Sequence, residues 1–270
     1  MTGMVEHTHP NGVVTLRSPL LDGVGVVHAF STRRGGVSQP PFDSLNLGGM
    51  AKGEGDANAH VAANFRRLRE AIAAPSTTRR VVVKQVHGAA VWRPPAEPVK
   101  PADAPEADAI ISHDARHLLT IRTADCVAVL LSTSDARWVG AAHAGWRGLV
   151  AGILPRMVAA LAEASGAQAS SLVAAVGPSI GVSRYEVGTD VANAFHEAGL
   201  VAAVRLAFGP KPHVDLRSAA VLQLSDAGVK PTQIDTTDRC TFDDAASFFS
   251  YRRDGAAAGR MAACIVPRSA

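Results

Sequence analysis

The stretch from Ala109 to Ala144 limits the possible folds more than any other part of the chain. It is strand-like three times, as AII, LLTIRTADCVAVLLS and WVGAAHA, and the links between these runs are too short to hold a helix. Parallel neighbours need a crossover of a dozen or more residues, whereas antiparallel neighbours can be joined by a tight turn. A strictly alternating, doubly wound parallel sheet is therefore excluded. Elsewhere strand-like and helical patterns also mix without strict alternation. The expected fold class is α+β, a single α/β-type domain with a mixed β-sheet and helices packed around it.

The helical patterns are periodic. Val61, Phe65, Leu68 and Ile72 fall at steps of four, three and four and predict a helix with Asp56 as N-cap. Leu149, Ile153, Met157 and Leu161 recur every four residues and predict a helix that opens at GWRG and is kinked at Pro155. TDVANAFHEAG, capped by Thr189 or Asp190, and DLRSAAVLQLSDAGV predict two more. VVTL, VGVVHAF, SLVAAVGPSIG and MAACIVP read as strands, and VVVKQVHGAAVW as strand, bend and strand. STRRGGVSQPPFDSLNLGGM is crowded with turn formers and predicts a long irregular loop, a type of segment that often carries function. RPPAEPVKPADAPEADA reads as an exposed connection. The domain is expected to cover residues 13–270, after a loose start over 1–12.

Composition narrows the function. A chain of 270 residues that is 47% hydrophobic and 19% charged can bury a sizeable core without disulfide staples. The net charge of +3 comes from scattered arginines, with no long basic run, so a nucleic-acid partner is not expected and a small anionic substrate fits. No apolar run reaches the roughly 18 residues needed to span a bilayer, so no membrane partner is expected. The start, MTGMVEHTHPNGVV, lacks a secretory leader pattern. Three well-separated cysteines, Cys126, Cys240 and Cys264, form no disulfide framework and point to a reducing compartment. Together these features predict a cytoplasmic protein.

Reactive residues inside or at the ends of apolar strands are the informative ones. His87 ends VVVKQVHG, Cys126 interrupts LLTIRTADCVAVLL, and His143 ends WVGAAHA just before GWRG. Taken singly, each has a plain reading, as strand-end histidines and a small buried hydrophobe. Converging from adjacent strands, they would make a His–Cys–His site. Such a site holds zinc and leaves a fourth position open for water, the arrangement of catalytic zinc. The same atoms would also serve a thiolate nucleophile, Cys126, with His143 as its base. His28 reads as structural or substrate-contacting. His7 and His9 fall in the loose start, and His60, His113, His117, His196 and His213 read as surface. Cys240 and Cys264 are possible fourth ligands of a closed, structural zinc.

Arginines supply the anion-binding candidates. Arg33 and Arg34 precede a flexible Gly35-Gly36, and Arg147 opens a helix in GWRG, so a phosphate or carboxylate could sit between them. FFSYRRDG offers Tyr251, Arg252 and Arg253 as a pocket wall. Asp125 and Glu186 are the candidates for proton transfer. The phosphate loop of ATPases, the G-x-S-x-G elbow and the nucleobase-deaminase zinc signature are all missing.

Six motifs in order, TRRGGVSQPPFDSLNLG, KQVHGAAV, TADCVAVLL, AAHAGWRG, GPSIGVSRYEVG and FFSYRRDGAAAGR, resemble those of the YfiH-like family, also called the laccase-domain or polyphenol oxidase family. The resemblance runs from about Gly25 to the C-terminus. It implies a YfiH-like α/β domain with a metal site of His87, Cys126 and His143. It also implies phosphorolysis of adenosine, inosine, guanosine and methylthioadenosine, with adenosine deaminase activity. On that reading the partners are a purine nucleoside and phosphate, the ion is zinc with copper possible, and the protein is a monomer or homodimer. Arg33, Arg147, Asp125 and Tyr251 are then the expected substrate contacts. Ala128 and Arg184 depart from the family pattern, which often has Pro and Cys there, and Arg184 could alter pocket charge. The alternatives are a Cys–His hydrolase or peptidoglycan-precursor editing enzyme, and copper-dependent phenol oxidation. A true multicopper oxidase needs several H-x-H pairs, and only His7 and His9 form one.

Overall fold

The structure, a computed structural model, describes residues 3–48 and 56–269. Two six-stranded sheets dominate it. The first has the spatial order β1 (Val5–Thr8), β2 (Val14–Arg17), β3 (Val27–Ser31), β14 (Met261–Val266), β7 (His117–Thr123), β4 (Arg79–Val81). The second has the order β13 (Ile234–Thr236), β10 (Val173–Val176), β8 (Val127–Ser132), β9 (Val139–Ala144), β6 (Ala109–Ser112), β5 (Val91–Trp92). Each is mixed: the central pairs are antiparallel, and β4, β5 and β13 join as parallel edges. A small pair, β11 (Val204–Arg205) with β12 (His213–Val214), lies apart. The helices are α1 (Pro19–Gly23), α2 (Asn58–Ala71), α3 (Trp146–Val150), α4 (Ile153–Ser165), α5 (Thr189–Glu197), α6 (Leu216–Asp226) and α7 (Tyr251–Asp254).

The alternation along each strand builds four layers. Val127, Val129 and Leu131 of β8 face a core made with α4, α5 and α6. Ala128 and Leu130 of the same strand pack toward the first sheet, against Phe30, Leu119, Ile121 and Ile265. On the far side of the first sheet, Leu118 and Cys264 meet Leu68 of α2 and Leu45 and Leu47 of the long loop. The order is helix, sheet, sheet, helices. A strand buried on both faces needs no polar face, which is why these strands read as unbroken apolar runs.

The α+β class with mixed sheets is observed, but as two sheets where one was expected. The run LLTIRTADCVAVLLS, expected as one strand, is β7 and β8 in different sheets, and Ala124-Asp125-Cys126 cross between them. VVVKQVHGAAVW likewise leaves the first sheet after β4 and enters the second at β5, so residues 82–90 are a second crossing.

Smaller corrections have local causes. The start is not loose over its whole length, because β1 pairs antiparallel with β2 and Gly3 bridges to Thr236. The helix expected to kink at Pro155 ends at Val150 and restarts after Gly152, whose φ of +76° no L side chain adopts easily. Pro155 then sits in the first turn of α4, where its missing N–H is not needed. Asp56 does not cap α2, which has Ala57 at the N-cap position. Its carboxylate instead accepts from Ser38 and Asn46 and faces His60. Gly188, not Thr189 or Asp190, is the N-cap of α5. His117 and His213, expected on the surface, are buried. The long loop is irregular over its described part, and residues 49–50 lie outside the described residues.

Candidate active site

Both sheet crossings end at the same place. Residues 82–90 bring His87, and residues 124–126 bring Cys126. The β8–β9 register sets Ala128 opposite His143 and Val127 opposite Ala144, so Cys126 emerges beside the end of β9. One ligand atom from each of His87, Cys126 and His143 lies within 4.8 Å of the others, a group that could hold a metal ion. Two imidazoles and a thiolate are a borderline-soft donor set that suits zinc or copper. The imidazoles of His87 and His143 meet edge to face, with centroids 4.8 Å apart. A Cβ on Gly145 would come within 2.9 Å of His87 Cδ2 and 3.0 Å of Cys126 Sγ, so the site closes directly over this glycine.

The two crossings are strained where they carry the site. His87 has φ +60° and Asp125 has φ +88°. Left-handed backbone costs a non-glycine residue about 1–2 kcal/mol, and buried carboxylates offset it in both places. Asp108, fully buried immediately before β6, accepts the N–H groups of Val86, His87 and Gly88 at 3.2, 3.0 and 2.6 Å. It also accepts from His143 Nδ1 at 2.8 Å. Asp108 therefore shapes the His87 turn and turns His143 Nε2 toward Cys126. Asp125 accepts from the Thr241 hydroxyl at 2.6 Å and the Arg252 N–H at 2.7 Å.

The charges follow from this packing. Burial pushes the Cys126 thiol up, but the positive His143 and hydrogen bonds from both imidazoles override burial and hold it at about 6. Burial works against a charged His143, yet the Cys126 thiolate and the Asp108 carboxylate raise it to about 9. Without metal the pair is thus thiolate and imidazolium at neutral pH, with Asp108 ionised behind it. Tyr185 nearby is pushed up to about 12, by burial first and then by Cys126, so its phenol stays protonated.

The group lies in the wall of a cavity of about 790 Å³, within the usual range for small-molecule sites. Trp146, Tyr185 and Tyr251 line it, as do Arg147 and Arg252. The Arg147 guanidinium lies 4.3 Å over the Trp146 ring, and that of Arg252 lies 4.9 Å over Tyr185.

Of the expected contacts, Arg147, Asp125 and Tyr251 line this cavity, but Arg33 does not. Arg33 donates to the Asp43 carbonyl, the Ala245 carbonyl and the Asp43 carboxylate, and it covers Phe249 at 4.4 Å. Its guanidinium is used to hold the loop. Glu186 pairs with Lys211 and is not part of the cavity lining, and Arg184 pairs with Asp243. Arg253 ties together the carbonyls of Thr241, Phe242 and Phe248. His28 is structural, its ring bonded to the backbone of Ser18 and Val26. Cys240 accepts from the Gly181 N–H, and Cys264 is buried in the first sheet. Neither belongs to the ligand group. Sequence reasoning missed Asp108, Gln85, Arg122 and Arg260. For Asp108 the signal was an acidic residue immediately before the apolar run AII.

A family model described as multi-copper polyphenol oxidoreductase laccase matches residues 27–268. The purine nucleoside phosphorylase YfiH of Escherichia coli (strain K12) is 40% identical over 242 residues, covering 89% of this chain and 93% of that one. A purine nucleoside phosphorylase of Deinococcus radiodurans is 41% identical over 263 residues, covering 95% and 94%. The crystal structure of YlmD from Geobacillus stearothermophilus superposes with a TM-score of 0.84 at 33% identity, over 98% of this chain and all of that one (100%). The Neisseria meningitidis protein NMB0706 superposes with a TM-score of 0.77 at 32% identity, over 99% and 100%.

Proposed function

This chain belongs to the laccase-domain family of YfiH-like proteins, and on that premise we propose that it is a purine nucleoside phosphorylase whose His87, Cys126 and His143 hold a zinc ion. The observation that carries the reading is the His–Cys–His group in the wall of a cavity whose lining also presents aromatic rings and guanidinium planes. Flat faces of this kind receive a purine by stacking, and arginines receive phosphate.

Phosphorolysis forms a bond between a phosphate oxygen and ribose C1′ and breaks the C1′–N9 bond. The purine leaves with that electron pair and ends with the proton that hydrogenphosphate gives up. Trp146 and Tyr185 would hold the base, with Tyr251 over the mouth. Asp108 would keep His143 aimed, and Asp125 would hold Arg252 in the wall. Zinc supplies Lewis acidity and lowers the pKa of water toward neutrality. That chemistry also suits deamination of adenosine to inosine, which we include as a second activity. Adenosine, inosine, guanosine and methylthioadenosine are the proposed substrates.

Phenol oxidation by several coppers fits less well. Among the described residues, His87, Cys126 and His143 are the one group of three or more candidate ligands. A single such site can still take up copper, which outranks zinc in intrinsic affinity. A second reading, a Cys–His hydrolase, is favoured by the thiolate–imidazolium pair.

The test is a product assay. The protein is incubated with adenosine, with and without phosphate, beside Cys126→Ala, and adenine, ribose 1-phosphate and inosine are quantified. Phosphate-dependent adenine that vanishes in the variant is expected. Turnover that survives chelators and dies on thiol alkylation would replace this reading with the hydrolase.

A further inference from the structure

Two arginines in the cavity wall are not used by the chemistry above. Arg122 is the penultimate residue of β7, and Arg260 immediately precedes β14. The two strands pair with Ala262 opposite Arg122 and Met261 opposite Thr123. This register sets both arginines at the same end of the first sheet, next to the Cys126 crossing, and both line the cavity. We propose that Arg122 and Arg260 form the oxyanion subsite that holds inorganic phosphate as co-substrate, an assignment that rests on the phosphorylase reading.

The Arg122 backbone and the Arg260 side chain are anchored, and neither guanidinium has a carboxylate partner among the described residues. The Gln85 side chain donates to the Arg122 carbonyl at 2.8 Å and accepts its N–H at 2.9 Å. This amide clamp ties the Arg122 backbone to the segment that carries His87, so the metal group and the arginine are positioned as one unit. Among the described residues, nothing accepts from the Arg122 guanidinium. Arg260 is pinned by its N–H to Asn46 at 2.8 Å. Its Nη1 donates to the Ala258 and Gly259 carbonyls at 2.6 and 2.9 Å. No described residue takes its Nε and Nη2 hydrogens, and that edge is the fork that grips an oxyanion with two parallel bonds.

The surrounding charge favours an anion. Arg122, Arg147, Arg252, Arg260 and the His143 imidazolium line the cavity, against Asp56, Asp125 and the Cys126 thiolate. Asp56 is taken by Ser38 and Asn46, and Asp125 by Thr241 and the Arg252 N–H. Among the described residues, neither Arg122 nor Arg260 has a carboxylate partner within ion-pair distance. Burial, together with the charges of Arg80 and Arg260, pushes the Arg122 guanidinium down. Burial likewise lowers Arg260, outweighing the opposite pull of Cys126, Tyr251 and Asp125. Half-buried like charges without partners are unfavourable, and a phosphate dianion offsets both at once. Arg33 lies outside this lining and directs three bonds to Asp43 and Ala245.

The experiment is equilibrium dialysis of the metal-loaded full-length protein with radiolabelled inorganic phosphate, beside steady-state kinetics with adenosine. In both Arg122→Gln and Arg260→Gln, the phosphate dissociation constant and the KM for phosphate should rise about 10- to 100-fold, the range expected for a lost charged hydrogen-bonding group. The KM for adenosine should change by less than about threefold. Arg122→Lys keeps the charge and should lose less, which covers the case of a Gln variant that fails to fold. Arg33→Lys should bind phosphate as the parent does.

Wild-type protein that binds no phosphate would overturn the proposal. So would Gln variants that bind it as tightly as the parent. If wild-type protein phosphorolyses adenosine and the variants keep their KM for phosphate, the phosphorylase reading stands and the arginine pair falls. If the variants lose phosphate binding but wild-type protein yields no phosphate-dependent adenine, the pair stands as an anion site and the phosphorylase reading falls. Adenosine 5′-monophosphate is the second arm, because it carries the same oxyanion covalently. Turnover of the monophosphate that is lost in the variants, with no phosphorolysis of adenosine, would assign the pair to a nucleotide and overturn it as a co-substrate site.

Discussion

His28 and His143 are both buried strand histidines, and the protein uses them in opposite ways. His28, on β3, is wholly buried and accepts the Ser18 N–H at Nε2 while its Nδ1 donates to the Val26 carbonyl. Both partners suit a neutral ring, and burial drives its pKa down to about 4 against the weaker pull of the Val26 carbonyl and of the Asp22 carboxylate, 3.8 Å from Nδ1. His143, at the end of β9, faces a carboxylate on one nitrogen and a thiolate on the other, and it is raised to about 9. Burial is common to both, so the partners decide the charge. A histidine wired to backbone is a structural link, and one wired between Asp108 and Cys126 is, on our proposal, a metal ligand.

The largest test of this contrast removes the metal group. Cys126→Ala and His143→Ala should each lower kcat/KM for adenosine about a thousandfold, roughly 4 kcal/mol of transition-state stabilisation, in protein that still unfolds cooperatively by calorimetry. His28→Ala should do the reverse. It leaves the Ser18 N–H unsatisfied and opens a gap, so unfolding in urea should show a loss of about 1–3 kcal/mol with kcat per folded molecule intact. If His28→Ala abolished turnover in folded protein, the contrast would break.

Asp108→Asn comes next. It keeps the shape but weakens both the His87 turn and the grip on His143, and metal affinity should fall about 10- to 100-fold by competition with a chelating dye. An unchanged affinity would mean that the carboxylate acts only on the fold.

Titration separates the two histidines most finely. His28 is depressed from its ordinary 6.5 to about 4, so between those values the unfolded chain binds the extra proton and the folded chain does not. Its contribution is full above pH 6.5 and is lost as pH falls toward 4, a decline of about 3 kcal/mol at most that the His28→Ala variant would lack. At the other site, the metal-free pair holds a proton on His143 until about pH 9. Metal binding must release it, so affinity should rise about tenfold per pH unit from about 6 to 9. A flat profile there would show that His143 is neutral before the metal arrives.

The site was more legible in the sequence than the fold. His87, Cys126 and His143 stood out because reactive side chains interrupt or end apolar runs, where a plain core residue would pack better. The division into two sheets was not visible. Each core strand is buried on both faces, so LLTIRTADCVAVLLS has the same pattern whether it continues straight or crosses at Asp125. Asp108 was hidden in a polar, proline-rich stretch, and its role depends on the N–H groups of residues 86–88, twenty or more positions earlier. Arg33 and Arg122 could not be told apart by type. What separates them is that carbonyls of Asp43 and Ala245 claim the first, and no described residue claims the second.

The most direct test of the central claim is metal content per chain, measured by elemental analysis of wild-type protein, Cys126→Ala and His28→Ala purified side by side. A single catalytic site predicts about one zinc ion per chain in wild-type protein and His28→Ala, and a trace in Cys126→Ala. Equal metal in all three, or several copper ions per chain, would contradict it.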